Sequence, residues 1–289
     1  MTAERPLTDG VVTLRPLGGG DTFAVEAGGR VVGSVGLRDV GESTGEITYA
    51  LESSTRGQGY ATRAVRLVVE YAFGELGLGR VQARVGTDNV AAVRVARRAG
   101  LRNEGVVRVA LDVGADDYAL LARLRDDPSP SERGGFRALL NSFLPRKRAI
   151  SQMLIRDTAE RVLLCELTYK QDWDLPGGVV EVGESPQLAV GREVEEELGL
   201  SVEPGGLLLT DWLPPWGGWD DALCLVFDGG THDPAVAEEI VKQEREIRAA
   251  AFCTMDEIWD RAADFTARRV EAALANLKAP GPAYTESGR

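Results

Sequence analysis

The sequence predicts an α+β protein of two domains, and three observations point to it. The chain has 289 residues, about twice the length of an ordinary single domain. The stretch Asp126-Asp127-Pro128-Ser129-Pro130-Ser131-Glu132-Arg133-Gly134-Gly135 collects Pro, Ser, Gly and charge with no apolar period, which is the composition of a linker. On each side of it a strand passes through a glycine-containing loop into a helix. The two loops carry different chemistry, so the halves are not repeats of each other.

Composition narrows the class. Apolar residues make up 44% and charged residues 27% of the chain, which argues against wholesale disorder. No run approaches ~18 consecutive apolar residues, so neither a membrane span nor a membrane partner is expected. The start, Met1-Thr2-Ala3-Glu4-Arg5-Pro6, has no basic flank and no apolar run, so no signal peptide is expected. Cys165, Cys224 and Cys253 make no disulfide framework and no Cys-x-x-Cys pair, and the expected compartment is the reducing cytoplasm. The one histidine, His232, excludes His-cluster metal sites and His-based triads. The net charge of -12 is uneven: residues 1–148 hold 21 Lys and Arg against 18 Asp and Glu, whereas residues 149–289 hold 12 against 27. So acidic a half disfavours nucleic acid as a partner. Its carboxylates become informative only where they converge on a metal.

The N-terminal elements follow in order. Val11-Val12-Thr13-Leu14-Arg15-Pro16-Leu17 is a first strand, and only Gly18-Gly19-Gly20-Asp21 separates it from residues 22–26 and a strand over residues 31–37. Glu46-Ile47-Thr48-Tyr49-Ala50-Leu51 alternates, with Ile47, Tyr49 and Leu51 on one face. Arg56-Gly57-Gln58-Gly59-Tyr60-Ala61 comes next. Behind it Ala61, Ala64, Val65, Val68, Val69, Ala72 and Phe73 keep a helical period. A glycine loop that opens a helix after a strand can aim backbone N–H groups and the helix dipole at an anion. Gly57 and Gly59 have no side chain to obstruct a pyrophosphate, although an ordinary turn has the same form. Val81, Ala83 and Val85 alternate as the next strand. Asp88-Asn89 then caps a helix over residues 90–98, ended by Gly100. Residues 117–121 are a terminal strand.

This order resembles the GNAT acyltransferases over about residues 9–125, and is most similar to the branch that acetylates protein N-termini and some antibiotics. The family's acetyl-CoA motif, Arg/Gln-x-x-Gly-x-Gly/Ala, is met by Arg56, Gly59 and Ala61. The resemblance implies a mixed sheet with flanking helices. It also implies a loop of Arg56, Gly57, Gln58, Gly59, Tyr60 and Ala61 on the CoA pyrophosphate, and Asn89 on the pantetheine arm. Glu46 takes the place of the carboxylate that faces the acceptor amine in many members, which makes it a candidate general base; a solvated strand-end Glu is the alternative. Two departures stand out. Ala96 occupies the position where many members keep a Tyr that protonates the leaving thiolate. The two helices that the family inserts after its first strand, walling the acceptor site, are replaced by Gly18-Gly19-Gly20-Asp21. The acceptor amine is therefore either large, such as a protein, and brings its own surface, or another part of the chain covers the cleft.

After the linker, Phe136, Leu139, Leu140, Phe143 and Leu144 fall at i, i+3, i+4, i+7 and i+8, a short amphipathic helix. Its stripe is expected to dock on one of the domains, and it is the nearest candidate to cover the acceptor cleft. Arg146-Lys147-Arg148 closes the segment as a solvated joint.

The C-terminal half carries the stronger pattern. Gln171-Asp172-Trp173-Asp174-Leu175-Pro176-Gly177-Gly178 leads to Glu184, and then to Arg192-Glu193-Val194-Glu195-Glu196-Glu197-Leu198-Gly199-Leu200. Ser185-Pro186 starts a helix with Pro at its first position. Glu193, Glu196 and Glu197 lie at i, i+3 and i+4 and share one face. Such carboxylates repel one another by roughly several tenths of a kcal/mol per pair. A hard divalent cation removes the repulsion, and oxygen ligands suit Mg²⁺ or Mn²⁺. Glu195 points away into solvent, and Arg192 can hold a carboxylate through two hydrogen bonds.

These residues satisfy every fixed position of the Nudix box, Gly-x5-Glu-x7-Arg-Glu-U-x-Glu-Glu-x-Gly-U with U aliphatic, across 23 residues. The resemblance runs over about residues 149–277 and implies an α/β/α sandwich. It implies Glu196 and Glu197 as main metal ligands with a backbone carbonyl of the Gly177-Gly178 turn, and Glu193 as ligand or base. Glu184 and Arg192 would tie loop to helix, with Gly178 and Gly199 as structural glycines. Glu246 is the candidate for the downstream glutamate that many members add, with Glu244 next. A CoA-cleaving member would carry a further signature ahead of the box, which Ile155-Arg156-Asp157-Thr158-Ala159-Glu160 does not match. Members that cleave ADP-ribose often have a Pro where Pro214 and Pro215 stand. In Trp212-Leu213-Pro214-Pro215-Trp216-Gly217-Gly218-Trp219 the tryptophans either stack a nucleobase or pack a loop.

The expected organisation is an acetyltransferase-like domain over residues 1–125, a linker with a short helix over 126–148, a hydrolase domain over 149–280 and a flexible tail over 281–289. The expected function is bifunctional: Mg²⁺-dependent cleavage of a nucleoside diphosphate-linked substrate, together with acetyl-CoA binding and acetylation of an amine. The alternative is a hydrolase whose N-terminal module senses acetyl-CoA or is structural.

Overall fold

The computed structural model describes residues 5–18, 21–109, 116–279, 281 and 283–289. Residues 1–4, and Gly19 and Gly20 of the short connection, lie outside the described residues. The chain divides into two compact units, Met1–Pro145 and Arg146–Arg289. The helix expected within the linker thus belongs to the first unit, and the triplet expected as a joint opens the second.

The first unit is a mixed sheet with helices. Its strands are β1 (Leu7–Thr8), β2 (Val12–Pro16), β3 (Thr22–Ala27), β4 (Arg30–Asp39), β5 (Thr44–Leu51), β6 (Arg80–Gly86), β7 (Arg102–Val107) and β8 (Tyr118–Leu124). The sheet order is β1-β2-β3-β4-β5-β6-β8-β7. Its helices are α1 (Tyr60–Gly74), α2 (Val90–Arg98) and α3 (Arg133–Phe143). Strands β2 and β3 form a direct antiparallel hairpin from Val12↔Ala27 to Pro16↔Phe23. Among the described residues no helix stands between them, as the short connection predicts. The β5–β6 pair is parallel and short, from Thr44↔Arg80 to Glu46↔Gln82. Beyond Glu46, β5 stays bonded to β4 as far as Leu51 and β6 to β8 as far as Gly86. The ladder between β5 and β6 therefore opens after three residue pairs.

Helix α1 buries Ala64, Val65, Val68, Val69 and Ala72 on its predicted stripe, and Tyr71 beside them. Each buried valine contributes about 1.5–3 kcal/mol at most. Helix α3 docks at β7 and α2. The Asn103 N–H donates to Ser142 Oγ at 3.1 Å, and the Arg97 guanidinium lies 5.4 Å from the Phe143 ring centre. Leu139 is buried, whereas Phe136 and Leu144 remain exposed, so only part of the apolar stripe is covered.

The second unit is an α/β/α sandwich. Its strands are β9 (Arg148–Asp157), β10 (Val162–Leu167), β11 (Trp173–Asp174), β12 (Gly177–Val179), β13 (Leu207–Leu213), β14 (Ala222–His232), β15 (Ile247–Cys253) and β16 (Tyr284–Glu286). The helices are α4 (Pro186–Leu198), α5 (Met255–Arg261) and α6 (Asp264–Lys278). Strand alternation separates two cores. Leu154, Leu164 and Val226 pack with Ile258, Val270 and Ala273 of α5 and α6. Met153, Ile155, Leu163 and Cys165 pack with Val190, Val194 and Leu198 of α4. A sheet covered on both faces explains the near-continuous apolar runs of β9 and β10.

The expected flexible tail over residues 281–289 is corrected by the structure. Strand β16 pairs parallel with β13, Asp211↔Thr285 among its partners. Thr285 Oγ1 and the Gly288 N–H both donate to Asp211 Oδ1, at 2.7 and 2.8 Å. Asp211 is fully buried, and a buried carboxylate must find donors, so the chain end is tied down. Thr285→Val removes one donor and keeps the shape. The expected loss of stability is about 1–3 kcal/mol, read as a lower urea midpoint for unfolding of the C-terminal unit.

Candidate functional site

In the first unit the opened ladder and the glycine loop enclose a cavity of about 410 Å³. Tyr49 and Leu51 of β5 form one side, Arg56, Gly57, Gly59, Tyr60 and Ala61 the loop, and Asn89 the cap of α2. Gly59 caps α1 at φ 81°, in the left-handed region, and a Cβ there would meet nothing within 4 Å. The backbone is thus open to a ligand. Gln58 is exposed and does not line the cavity. The Asn89 carboxamide accepts from the Ala92 N–H at 3.0 Å, so its side chain holds the helix start. Arg94 and Arg98 of α2 also line the cavity, cations that the sequence reading missed. Tyr49 Oη donates to the Ala92 carbonyl at 2.8 Å, and burial pushes its pKa up to about 12.

Glu46 does not reach this cavity. It is three residues from Tyr49 on one strand, hence on the opposite face. It is 7% exposed and pairs with Arg38 at 2.7 Å and Arg84 at 2.8 Å. The expected general base is a carboxylate committed to two ion pairs. Helix α3, the expected cover, does not line the cavity either.

In the second unit the fixed-spacing residues meet at the junction of β12 and α4. Pro186 opens α4, and Gly199 ends it at φ 67°. Arg192 clasps the loop: its Nε and Nη2 lie 2.9 and 3.1 Å from the Glu184 carboxylate, which also accepts from the Glu181 N–H at 3.2 Å. Glu197 is 3% exposed, and its Oε2 accepts from the Gly177 N–H at 3.0 Å. Glu193 lies against Gly178 so closely that a Cβ there would fall 2.5 Å from the carboxylate. A side chain at 178 would therefore displace the Glu193 carboxylate from this position.

The expected trio of helix glutamates is only partly brought together. Glu193 and Glu197 face the Gly177–Gly178 turn, whereas Glu196 is exposed, and Arg192 holds Glu193 and Glu196 at 2.9 Å each. Among the described residues, no group of three or more His, Cys, Asp or Glu side chains is gathered closely enough to hold a metal. The electrostatics nonetheless fit a cation. Burial first, then Glu193, Glu246 and Asp174, push Glu197 up to about 8. Burial likewise raises Glu193, with Glu196 and Glu246 adding to it. Glu246, ahead of β15, is thus within electrostatic reach of both carboxylates. Glu195 is exposed, as expected.

A cavity of about 350 Å³ adjoins this turn. Gly177, Gly178 and Tyr169 lie at its carboxylate end, and Trp216, Trp219 and Phe265 form its aromatic part. Trp216 and Trp219 bond to each other through their backbones at 3.1 and 2.9 Å across Gly217-Gly218, a tight turn. The Trp216 and Phe265 rings meet edge to face at 5.4 Å, and Arg148 lies 5.1 Å over Trp219. Trp212 instead sits in β13, its Nε1 donating to Asp221 at 3.3 Å. On the floor Arg269 is 1% exposed. It donates from Nε to Asp211 at 2.9 Å and from Nη1 to Gln152 at 2.9 Å, while Gln152 donates to Asp174 at 2.8 Å.

Sequence reasoning missed Arg148, Tyr169, Phe265 and Arg269. Arg269 left a signal: it interrupts the buried stripe Thr266, Ala267, Val270 and Ala273 of α6 with an arginine. Arg148 was hidden in a basic triplet.

Comparison with known proteins agrees with this geometry. The Acetyltransferase (GNAT) domain family matches residues 12–102, and the NUDIX domain family matches residues 145–274. The MutT-like protein of Streptomyces ambofaciens is 30% identical over 130 residues, covering 44% of this chain and 75% of that protein. The probable N-acetyltransferase YjcK of Bacillus subtilis is 42% identical over 69 residues, 23% of this chain and 38% of that protein. An RNA pyrophosphohydrolase of Rhodospirillum rubrum is 31% identical over 77 residues, 27% of this chain and 44% of that protein. The chain therefore spans less than half the length of the latter two. The chain belongs to the Nudix family through its C-terminal unit and carries a GNAT acetyltransferase domain ahead of it. Among the described residues no helix is long and apolar enough to cross a membrane.

The raised Glu197 pKa has a thermodynamic consequence. The folded state binds this proton up to about pH 8, whereas the unfolded chain releases it near 4.5. In metal-free protein its stabilising contribution is full below pH 4.5 and is lost as pH rises through 8. The melting temperature in EDTA is expected to fall between pH 6 and 9, and excess Mg²⁺ to oppose the fall. Glu197→Gln should flatten both effects in calorimetry.

Proposed function

We propose that the C-terminal unit hydrolyses the diphosphate of a nucleoside-type substrate with Mg²⁺ or Mn²⁺, and that the N-terminal unit binds acetyl-CoA and passes its acetyl group to an amine. The observation that carries the first part is the buried Glu197 carboxylate, crowded by Glu193 and Glu246 and bonded to Gly177, which lines an aromatic cavity. Glu193, Glu196 and Glu197, with the Gly177 carbonyl and Glu246 nearby, are the residues that would hold the cation. Bound there, a divalent cation supplies charge neutralisation and Lewis acidity to the diphosphate. Glu197 would hold the cation through a carboxylate that the Gly177 N–H orients. Glu193, beside the Gly178 backbone, serves as ligand or as the base that takes a proton from water. Glu184 and Arg192 hold the loop on α4, and Gly199 ends that helix. Trp216, Trp219 and Phe265 receive the base and exclude water from it. The buried, unpaired Cys165, Cys224 and Cys253 suit the cytoplasm.

For the first unit, Arg56, Gly57, Gly59, Tyr60, Ala61 and Asn89 line the cavity proposed for acetyl-CoA. A second reading, acetyl-CoA binding without transfer, is favoured by the ion pairs of Glu46 and by the direct β2–β3 hairpin. Thiol release with a panel of amines, including peptide N-termini, separates the two. Release above the no-amine rate supports transfer, and binding without release supports the second reading.

Glu197→Gln is expected to lower kcat for diphosphate hydrolysis on the order of 10²-fold or more, with EDTA abolishing activity in the wild type. Unchanged hydrolysis in either case refutes the assignment. Gly59→Val places a branched side chain at positive φ and in the open cavity, so CoA affinity measured by calorimetry should drop about tenfold or more. Equal affinities would reduce the loop to a turn.

A further inference from the structure

Tyr169 stands where the two parts of the C-terminal site meet. It lines the carboxylate end of the aromatic cavity together with Gly177 and Gly178. The residue is 55% exposed, so a ligand can reach it. Partial burial first, then Glu197, Asp174, Glu246 and Glu193, push its phenol up to about 12. All four carboxylates therefore lie within electrostatic reach of the hydroxyl. At neutral pH the phenol keeps its proton and is an uncharged donor. Among the described residues this hydroxyl has no hydrogen-bond partner.

The turn that carries Tyr169 is fixed on the carboxylate side. The Thr168 N–H donates to the Glu246 carbonyl at 2.8 Å, and Thr168 Oγ1 to the Arg245 carbonyl at 2.7 Å. The Thr168 carbonyl in turn accepts from Arg248 at 3.0 Å. On the other side Lys170 is held by Asp174 at 3.2 Å. The phenol thus projects from a backbone tied to the loop of Glu246, at a place where charge would be a disadvantage. A free cation here would be drawn to the carboxylates, as Lys170 is to Asp174, and would compete with a divalent ion for them. A neutral hydroxyl can donate to a phosphate oxygen without that competition. A substrate whose ring lies against Trp216 and Trp219, and whose diphosphate reaches the Gly177–Gly178 turn, brings its phosphates to the end of the cavity that Tyr169 lines.

We propose that Tyr169 is a binding residue for the substrate's diphosphate, donating from Oη to a non-bridging phosphate oxygen between the cation site and the aromatic cavity. The inference rests on the nucleoside diphosphate-linked substrate proposed above. A tyrosine that only walls the cavity would act through its ring, and Tyr169→Phe keeps the ring while removing the donor.

The test compares the full-length wild type and Tyr169→Phe, in Mg²⁺, by titration followed through tryptophan fluorescence. The ligands are the α,β-methylene diphosphates of guanosine and adenosine, whose bridge resists hydrolysis, and the two parent nucleosides. Binding needs no turnover, so the readout is separate from activity. In the wild type at least one methylene diphosphate should bind about tenfold or more tighter than its nucleoside. Tyr169→Phe should weaken that diphosphate about five- to tenfold and leave the nucleoside within about twofold, the signature of one lost hydrogen bond to a charged acceptor. Unchanged diphosphate affinity in Tyr169→Phe overturns the proposal and leaves the hydrolase reading intact. An equal loss for diphosphate and nucleoside does the same, because it assigns the residue to the cavity wall. A wild type that binds neither diphosphate more tightly than its nucleoside overturns the hydrolase reading, and the proposal with it.

Discussion

Glu197 is a carboxylate held almost out of water behind a glycine turn, and much of the C-terminal unit is arranged around that constraint. Burying a charged group without compensation is costly, so the group keeps its proton instead, which is the direction seen for Glu197. The Gly177 N–H gives it one hydrogen bond. At Gly178 the Glu193 carboxylate occupies the space a side chain would take, so a larger residue there would push that carboxylate away. Arg192 then locks the outer loop to the same helix through Glu184. Helix, turn and loop are thus fixed around two carboxylates, Glu193 and Glu197, that burial and their mutual repulsion push toward the protonated form.

The N-terminal unit relies on a different constraint, an interrupted ladder. Backbone groups of a strand pair must be satisfied, yet β5 and β6 part after Glu46 and Gln82. Each strand keeps its other neighbour, so the gap costs only one edge apiece, and the loop that starts α1 fills its mouth. Glu46 marks the last paired position, and two arginines there neutralise it. The carboxylate at the edge of the gap is therefore an ion-paired one.

How much of this was legible in the sequence depends on how local each feature is. The loop-to-helix arrangements were legible because all their residues fall within a few turns of chain, where period and capping speak directly. The position of Glu196 was not. Helical spacing places it beside Glu193, but only the side-chain geometry shows that Arg192 holds both. The cavity was legible only in its Gly177-Gly178 turn and in Pro214, Pro215, Trp216 and Trp219, since it is assembled from residues as far apart as Arg148 and Ser287. The chain end read as a tail because Tyr284-Thr285-Glu286 is too short to show a period. What orders it is a buried aspartate 74 residues away, Asp211, bonded to Thr285.

The charge of the cavity follows from the same economy of burial. The C-terminal half is strongly acidic, yet Arg148, Lys170, Arg268 and Arg269 line one cavity. An unpaired cluster of four cations would bind any phosphate. Here each is engaged: Arg148 on the Trp219 face, Lys170 with Asp174 at 3.2 Å, Arg268 with Asp264 at 3.7 Å, and Arg269 with Asp211. Three of the four thus face a carboxylate, whereas Arg148 keeps its charge over an aromatic ring and donates to the Asp220 carbonyl at 2.8 Å. At the neighbouring turn the balance is reversed: burial raises Glu193 and Glu197, and of these two only Glu193 has an arginine partner, Arg192 at 2.9 Å.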